Sequence, residues 1–459
     1  MGSQPRCEAK LSGREEVEFA VCLKHSYTHN SKEIRAMLAY VLNKHGKPLM
    51  PLMPCKTAKA RKLLRAGEAK VVKRTPFTIK LLHGSSGHTQ HVVAGMDTGS
   101  KYIGCAAIAN GKVIYQSEVA LRTDVSKKMQ QRAMYRRTRR NRKLRYRPAR
   151  WLNRASMRKE GRLAPSLKSK LDSHLREKKQ VEAILPISHW KVETASFDIH
   201  KITNPIVTGV GYQQGAQLGY YNVKAYVLQR DNYKCQSGRK TKHNAKLHVH
   251  HKVFRSQGGT DAPCNLITLC ETCHNDLHAG KFELKVKRSK TKHATEIGIV
   301  KVQLKQCWDF EETFGYVTKF KREQVLGLPK THYYDAVSIC CESGELVQQA
   351  KHVLRKRHVA SGDYQQTKGG RSEKRIPVGK LFGLKKHDFV QTPQGTGFVK
   401  GKRSSGYFAL ETILGDKVHA SANIKKNTVR ISARTTTLTQ PMEAAIPLGT
   451  KVPSILAVN

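Results

Sequence analysis

Residues 235–278 read CQSGRKTKHNAKLHVHHKVFRSQGGTDAPCNLITLCETCHNDLH, and the order of side chains there sets the reading of the whole chain. The stretch holds a His-Val-His-His strand end, a Gly-Gly turn, Asn265 and a His-x3-His pair. Hydrolysis of a phosphodiester needs a water deprotonated near neutral pH, and imidazole is the side chain whose ordinary pKa suits that task. His251 is the candidate base. The leaving oxygen needs a Lewis acid, and His274 and His278, at i and i+4, share one helical face where both reach a divalent ion. His250, beside the base on the strand, completes that metal site.

Cysteines add a second layer. Cys270 and Cys273 open the same helix, and a second Cys-x-x-Cys ahead of the first strand would close a tetrahedral zinc site. Here that place reads Cys235-Gln236-Ser237-Gly238, so the fourth thiolate is missing. Either His243 takes its place, or Cys235, Cys270 and Cys273 hold zinc weakly, or the knuckle folds without metal. A plain zinc ribbon would require the cysteines but not His250, His251, Asn265 and His278. The stretch resembles the HNH endonucleases, a ββα metal module. That resemblance gives Asn265 the task of tying down the backbone around the base, and makes His250, His251, Asn265 and His274 the catalytic set.

The 459 residues suffice for several domains. Lys and Arg total 84 against 34 acidic residues, a net charge of +50 spread along the chain, so a polyanion is needed to offset self-repulsion. Nucleic acid is the expected partner, held mainly through phosphates and therefore released by salt. A ribosomal protein or a membrane-surface binder would explain the charge but not the histidines. The eleven cysteines form no disulfide framework, as in a reducing compartment. No apolar run reaches the length of a membrane span and the acidic, broken N-terminus is no signal peptide, so a soluble, cytoplasmic protein is expected.

Carboxylates are scarce, which gives weight to three of them. Residues 91–107, HVVAGMDTGSKYIGCAA, read as a strand delivering Asp97 into a Gly-bounded turn, then a second strand. Residues 190–196, WKVETAS, place Glu193 at the end of another β-rich run. Residues 331–340, THYYDAVSIC, set His332 and Asp335 on one face at the opening of a helix. A lone Asp-x-Gly is commonly a turn residue. Between the first two segments, residues 127–150 (KKMQQRAMYRRTRRNRKLRYRPAR) carry twelve basic residues and no acidic one. As a helix, about twenty of these would extend roughly 30 Å. Like charges at i,i+4, such as Arg132 and Arg136, destabilise an isolated helix, so a polyanion must offset them.

The remainder is less distinctive. Residues 1–36 have no clear role. From Met37, alternation at Leu38, Tyr40 and Leu42 reads as a strand, residues 57–66 as a basic helix stopped by Gly67, and residues 70–81 as a strand pair. Leu163, Leu167, Leu171 and Leu175 form a stripe suited to core packing. Residues 202–219 and 285–292 read as connectors on either side of the histidine module. After residue 376 short alternating strands separated by Gly turns suggest a small barrel or sandwich, with Phe398, Tyr407 and Phe408 mostly in its core.

The hexapeptide GKPLMP at residues 46–51, followed in order by Asp97, the arginine-rich run, Glu193, the HNH stretch and His332-x-x-Asp335, resembles the IscB proteins. These are transposon-encoded RNA-guided nucleases related to the CRISPR single-effector enzymes. The resemblance implies an α/β multidomain fold: an RNase H-like (RuvC) core split by an arginine-rich bridge helix and an inserted ββα-metal HNH domain, with a β-rich C-terminal domain. It implies boundaries of 37–90 for an N-terminal PLMP-type domain and 91–124, 161–204 and 293–350 for the three RuvC segments. The bridge helix would take 125–160, linkers and HNH domain 205–292, and the domain reading a target-adjacent motif 351–459. Asp97, Glu193 and Asp335 would hold two magnesium ions with His332 as base or orienting group, the HNH centre one more, and zinc would sit in the knuckle if it holds metal. Arg132, Arg136, Arg137, Arg139, Arg140, Arg142 and Arg145 would lie along a guide RNA. The implied partners are that RNA and a target DNA duplex, with one protein chain sufficient. A homing-type HNH enzyme leaves the carboxylates unexplained, and a non-catalytic RNA scaffold leaves the whole catalytic set unexplained.

Overall fold

A computed structural model describes residues 38–48, 54–84, 88–140, 162–194, 217–239, 242–254, 261–284, 292–342, 345–361, 382–403, 405–424 and 427–445. The chain falls into two compact units: Met1–Val125, Lys159–Ala195 and Val300–Asn459 in the first, Ser126–Arg158 and Ser196–Ile299 in the second. Among the described residues no helix is long and apolar enough to cross a membrane.

The first unit opens with strands β1 (Leu38–Leu42), β2 (Cys55–Lys56), β3 (Ala69–Lys73) and β4 (Thr78–Leu81), and helix α1 (Thr57–Arg65). The strands form a small sheet in the order β2-β1-β4-β3. Its centre is a seven-stranded sheet. Strands β5 (Val93–Thr98), β6 (Tyr102–Ala109) and β7 (Lys112–Ala120) run as an antiparallel meander. Asn110-Gly111 joins the last two with both residues at positive φ, the pairing a two-residue hairpin turn demands. Strand β8 (His189–Glu193) lies parallel to β5, and β11 (Glu311–Thr313) parallel to β8. On the other side β12 (His352–His358) runs parallel to β7 and β18 (Thr437–Glu443) antiparallel to β12. The resulting order is β11-β8-β5-β6-β7-β12-β18.

The pleat sorts β6 into two faces. Cys105 and Ala107 join Met96, Tyr115, Leu171, Val181 and Leu304 in one core, to which helix α3 (Pro165–Glu182) and, through Val300 and Leu304, helix α6 (Lys292–Cys307) contribute. Ala106 and Ile108 join Tyr333, Ala336 and Val337 of helix α8 (His332–Cys340) in the other. Two glycines let α8 lie directly on backbone. A Cβ on Gly95 would come within 2.5 Å of the Ala336 carbonyl, and one on Gly104 within 1.7 Å of the His332 carbonyl. Any side chain at either place would push the helix off the sheet.

Helix α3 is tied to the sheet by a buried polar knot. Lys356 of β12 donates to both carboxylate oxygens of Glu177, at 2.7 and 2.9 Å, and Tyr115 and Ser117 donate to the same carboxylate at 2.8 Å each. With no solvent at Glu177, complete pairing is what makes this burial tolerable. Of the leucine stripe, Leu171 is buried and Leu163 and Leu175 pack on the core, although Leu163 precedes the helix.

Strands β13 (Phe389–Thr392), β14 (Gly395–Lys402), β15 (Tyr407–Glu411), β16 (Lys417–Asn423) and β17 (Val429–Ser432) form an antiparallel sheet in the order β16-β15-β14-β13-β17. Phe398 and Phe408 are buried in it and Tyr407 is exposed, as the composition suggests. The C-terminal region is less separate than its change of character implies. Its β12 and β18 complete the central sheet, because Val353, Leu354, Lys356 and His358 all find buried places there.

The second unit contains helix α2 (Val125–Arg140) beyond its first residue, α4 (Val223–Arg230), the hairpin of β9 (Leu247–His251) and β10 (Leu266–Cys270), and α5 (Glu271–His278). Asn222 caps α4, its side chain accepting from the Ala225 N–H at 2.9 Å. Residues 1–36, the 202–216 connector, the Gly-Gly turn, residues 285–291 and Arg142 and Arg145 lie outside the described residues.

Candidate active sites

Strand β9 alternates its side chains, so His250 faces inward where α5 presents His274 and His278 one turn apart. One donor atom from each of the three lies within 4.8 Å of the others. Burial, followed by the charges of His274, His278 and His251, holds the His250 imidazole down at about 4. Burial, then the other imidazoles, lowers His274. Lowered in this way, His250 and His274 favour the neutral form, which has a lone pair to give, and the donor set fits a divalent cation.

His251, next along the strand, has Nε2 at 2.7 Å from Asp261 Oδ1. Behind it, Asn265 accepts from the Val253 N–H at 2.9 Å through Oδ1 and donates to the Val253 carbonyl at 3.0 Å through Nδ2. The Lys252 N–H donates to the Asn265 carbonyl at 2.7 Å. The backbone after His251 is thereby clamped to the start of β10. Asp261 is absent from the sequence reading; it follows the turn and carries no periodic signal.

In the same module Cys235, His243, Cys270 and Cys273 bring their donor atoms within 4.8 Å of one another. His243 Nδ1 is 3.5 Å from Cys270 Sγ and 3.7 Å from Cys273 Sγ. Of the three alternatives, the geometry favours His243 in the fourth place. Gly238 occupies a turn at φ +70° with nothing within 4 Å of where a Cβ would be. Burial pushes the Cys270 thiol up, but hydrogen bonds from the Cys273 and Asn244 backbone and from His243 bring it down to about 6. A thiolate at neutral pH beside an imidazole fits zinc.

The other centre lies in the first unit. Asp97 is the last residue but one of β5, and the first turn of α8 carries His332 and Asp335; these three offer donor atoms within 4.8 Å of one another. His332 Nδ1 is 2.6 Å from Asp97 Oδ2, and that hydrogen bond raises the imidazole pKa. Tyr102 stacks on the same ring, centroids 5.5 Å apart. Thr331 caps α8, accepting from the Tyr334 N–H at 3.2 Å.

Glu193 lies beside Asp97 in register across β5 and β8, and Thr98 Oγ1 donates to its backbone carbonyl at 2.7 Å. Its carboxylate stands outside the group of three and faces helix α7 (Gly315–Phe320), where a Cβ on Gly315 would come 2.9 Å from Oε1. Burial pushes Glu193 up to about 7, against a hydrogen bond from Thr318 and with the Asp97 and Asp335 charges adding to the rise. Burial also raises Asp335, although the buried Arg322 pairs with it from the turn at Lys321–Val325. Three crowded carboxylates, two of them held above their ordinary range, form a donor set that a cation would relieve. Arg322 and Thr318 went unnoticed in the sequence; one arginine among 84 basic residues carries no signal there.

Of the arginines assigned to nucleic acid, Arg132, Arg136 and Arg137 are exposed on α2, and Arg139 and Arg140 fall within its last turn.

Residues 39–215 match the RRXRR protein family and residues 235–280 the HNH endonuclease family. The architecture is IscB-like. Over 65 residues the chain is 37% identical to the type IV methyl-directed restriction enzyme EcoKMcrA of Escherichia coli (strain K12). That similarity takes in 13% of this chain and 24% of the restriction enzyme. The HNH domain therefore encloses both the imidazole centre and the cysteine knuckle, and the RRXRR region holds Asp97, α2 and Glu193.

Proposed function

We propose that this IscB-like protein is an RNA-guided endonuclease that cuts both strands of a DNA duplex, the HNH centre cutting the guide-paired strand and the carboxylate centre the displaced one. The observation that carries the reading is the coexistence of two centres of different donor chemistry, each assembled in its own unit. Strand order β7-β6-β5-β8-β11, an antiparallel meander followed by two parallel strands, with Asp97 and Glu193 side by side, supports an RNase H-like (RuvC) core. RNA guidance is supported by the RRXRR region, the exposed arginines of α2 as a bridge helix, and the charge of +50.

At the HNH centre His251 takes the proton of the attacking water, Asp261 orients the ring, and Asn265 fixes the backbone that carries it. A divalent ion on His250, His274 and His278 would take up charge on the leaving oxygen. At the other centre Asp97, Glu193 and Asp335 would hold magnesium, which would supply Lewis acidity and neutralise the charge that develops on the phosphate. His332, bound to Asp97 through Nδ1, keeps Nε2 for the proton of the nucleophile. Zinc in the knuckle would serve structure alone. The C-terminal sheet would read the target-adjacent motif, and a single chain with its RNA, in the cytoplasm near the nucleoid, would be the working particle.

The similarity to a restriction enzyme favours a second reading, an HNH nuclease whose DNA specificity is read by protein. Purification followed by RNA extraction separates the two. One defined RNA should copurify, and exchanging its guide end should redirect cleavage. Cleavage at an unchanged site after RNA exchange or RNase treatment would establish the second reading instead.

A further inference from the structure

Helix α7 carries a set of aromatic rings that the core does not use. Phe314, Tyr316 and Phe320 are exposed, Tyr316 to 75%. Phe314 and Tyr316 stack on each other, centroids 6.0 Å apart and planes within 9°. Gly315, between them, is the residue against which the Glu193 carboxylate rests. Across the centre Tyr102, also exposed, stacks on His332. Large rings left in water beside a buried acidic cluster are costly to keep unless something flat covers them.

The surrounding charges indicate what that is. Lys101 and Lys330 are exposed and adjoin Tyr102 and the Thr331 cap, and Lys319 lies on α7 with Glu323 only at 4.0 Å. Lys321 is held by the Cys341 carbonyl and Arg322 by Asp335 and Glu323, so neither is available outward. Exposed rings interleaved with outward lysines match a strand that offers both phosphates and base faces. In a duplex the base faces are already stacked on one another, and only an unpaired strand can give them up.

We infer that Phe314, Tyr316 and Tyr102 form a stacking platform that seats single-stranded DNA at the carboxylate centre, Phe314 and Tyr316 on the Glu193 side and Tyr102 on the His332 side. The inference rests on reading that centre as a nuclease. These side chains are positioning residues: they aim the backbone at the acidic cluster and leave the chemistry to it. The strand supplied is thus one whose partner has been removed, which ties cutting here to prior unwinding of the duplex.

The test uses the full ribonucleoprotein. Phe314→Ala with Tyr316→Ala should raise the KM for cutting a single-stranded oligonucleotide about tenfold with kcat little changed, since stacking of one or two bases is lost. Tyr316→Phe should restore the KM, because the ring and not the hydroxyl does the stacking. Nicking of the opposite strand at the HNH centre should stay as it was. Independently of cleavage, in an Asp97→Ala background that blocks it, the double variant should bind labelled oligothymidylate about tenfold more weakly by anisotropy. Unchanged KM and unchanged binding would overturn the inference. So would an equal loss at both strands, which marks a folding defect. If Asp97→Ala leaves the displaced strand's cleavage intact, the nuclease reading of this centre fails, and the binding measurement still decides whether the platform exists.

Discussion

The imidazole centre and the carboxylate centre are built by opposite means. Everything the first needs lies between Cys235 and His278, on one hairpin and one helix, and neighbours in sequence become neighbours in space. The second joins Asp97 to His332 across 235 residues, and its geometry depends on a seven-stranded sheet, on α8 seated over Gly95 and Gly104, and on α3 fastened behind. A locally closed site tolerates damage elsewhere; a site assembled by topology inherits every weakness of its sheet. If the contrast is real, the two activities should be separable by substitutions near each centre and far from it.

The largest effect is expected at the reacting groups. His251→Ala should lower cutting of one strand by about 10²–10⁴-fold, the usual cost of a lost general base, and leave the other strand cut at its former rate. Asp97→Ala should do the reverse. Supercoiled plasmid carrying a target, resolved into nicked and linear forms, with the nicked strand identified by end labelling, measures both. Linear product at wild-type rate from either variant would break the comparison at its root, since one centre would then serve both strands.

A substitution remote from both centres sharpens it. Lys356→Met leaves the Glu177 carboxylate buried without its cation and should cost the first unit about 3–5 kcal/mol. Replacing Glu177 by Leu as well should recover part of that loss. Urea unfolding followed by tryptophan fluorescence reads the stability, because Trp190 and Trp308 pack edge to face 5.0 Å apart in the same core. At a temperature where this unit is marginal, displaced-strand cutting should fall while the HNH centre keeps its metal-binding geometry.

The same contrast decides what the sequence could reveal. His250, His251, Asn265, His274 and His278 are legible because a hairpin and a helix have fixed periods, and residues spaced to those periods must meet. Asp97, Glu193 and Asp335 are legible as strand ends and a helix start, since each sits where its own element stops or begins. Their neighbours are not. Arg322 reaches Asp335 from an irregular turn, Thr318 reaches Glu193 from a helix of six residues, and neither position has a pattern. Lys356 and Glu177 read as two more charges in a basic chain until the fold buries both. Strand β12 was hidden for the same reason: five of its seven residues, HVLRKRH, are basic or His, and only tertiary pairing makes that a central-sheet strand. The Asn110-Gly111 hairpin, by contrast, has a plain turn signature between two apolar runs.

A change inside the HNH module should act in the other direction. If His243 is the fourth ligand, His243→Ala should lower zinc affinity by more than the roughly 10–100-fold that loss of an outer-shell partner costs. His243→Cys should keep zinc, by restoring the fourth thiolate. Metal content per chain after dialysis measures this. Cutting by the HNH centre should decline with zinc loss while the displaced-strand activity persists. Zinc retained at full occupancy by His243→Ala would show that the three cysteines suffice and that His243 is a bystander.

The smallest effect separates the units by pH. His174 and His358 lie in the core around Glu177, and burial holds each imidazole down at about 4. Their ordinary value near 6.5 returns on unfolding, so below that pH the unfolded chain takes up protons that the folded one refuses. Stability from these two is complete above pH 6.5 and drains away as pH falls toward 4, each contributing on the order of 1 kcal/mol over the first unit of that range. His332, Glu193 and Asp335 oppose them: Asp97 raises the His332 imidazole and burial raises both carboxyls, Glu193 to about 7, so the fold takes up protons at these groups as pH falls and their contributions grow. Glu177 does not confuse the window: Lys356, with Ser117 and Tyr115, overcomes burial and holds its carboxyl below the ordinary value, so its own loss begins only at lower pH. The histidines are therefore read by substitution: on going from pH 7.5 to 5.0, the urea midpoint of the first unit should change more favourably in His358→Phe than in the parent chain, because one depressed imidazole has been removed. The same pH dependence in the parent chain and in His358→Phe would mean that this imidazole is charged in the fold, and that the sheet behind the carboxylate centre is wetter than its packing indicates.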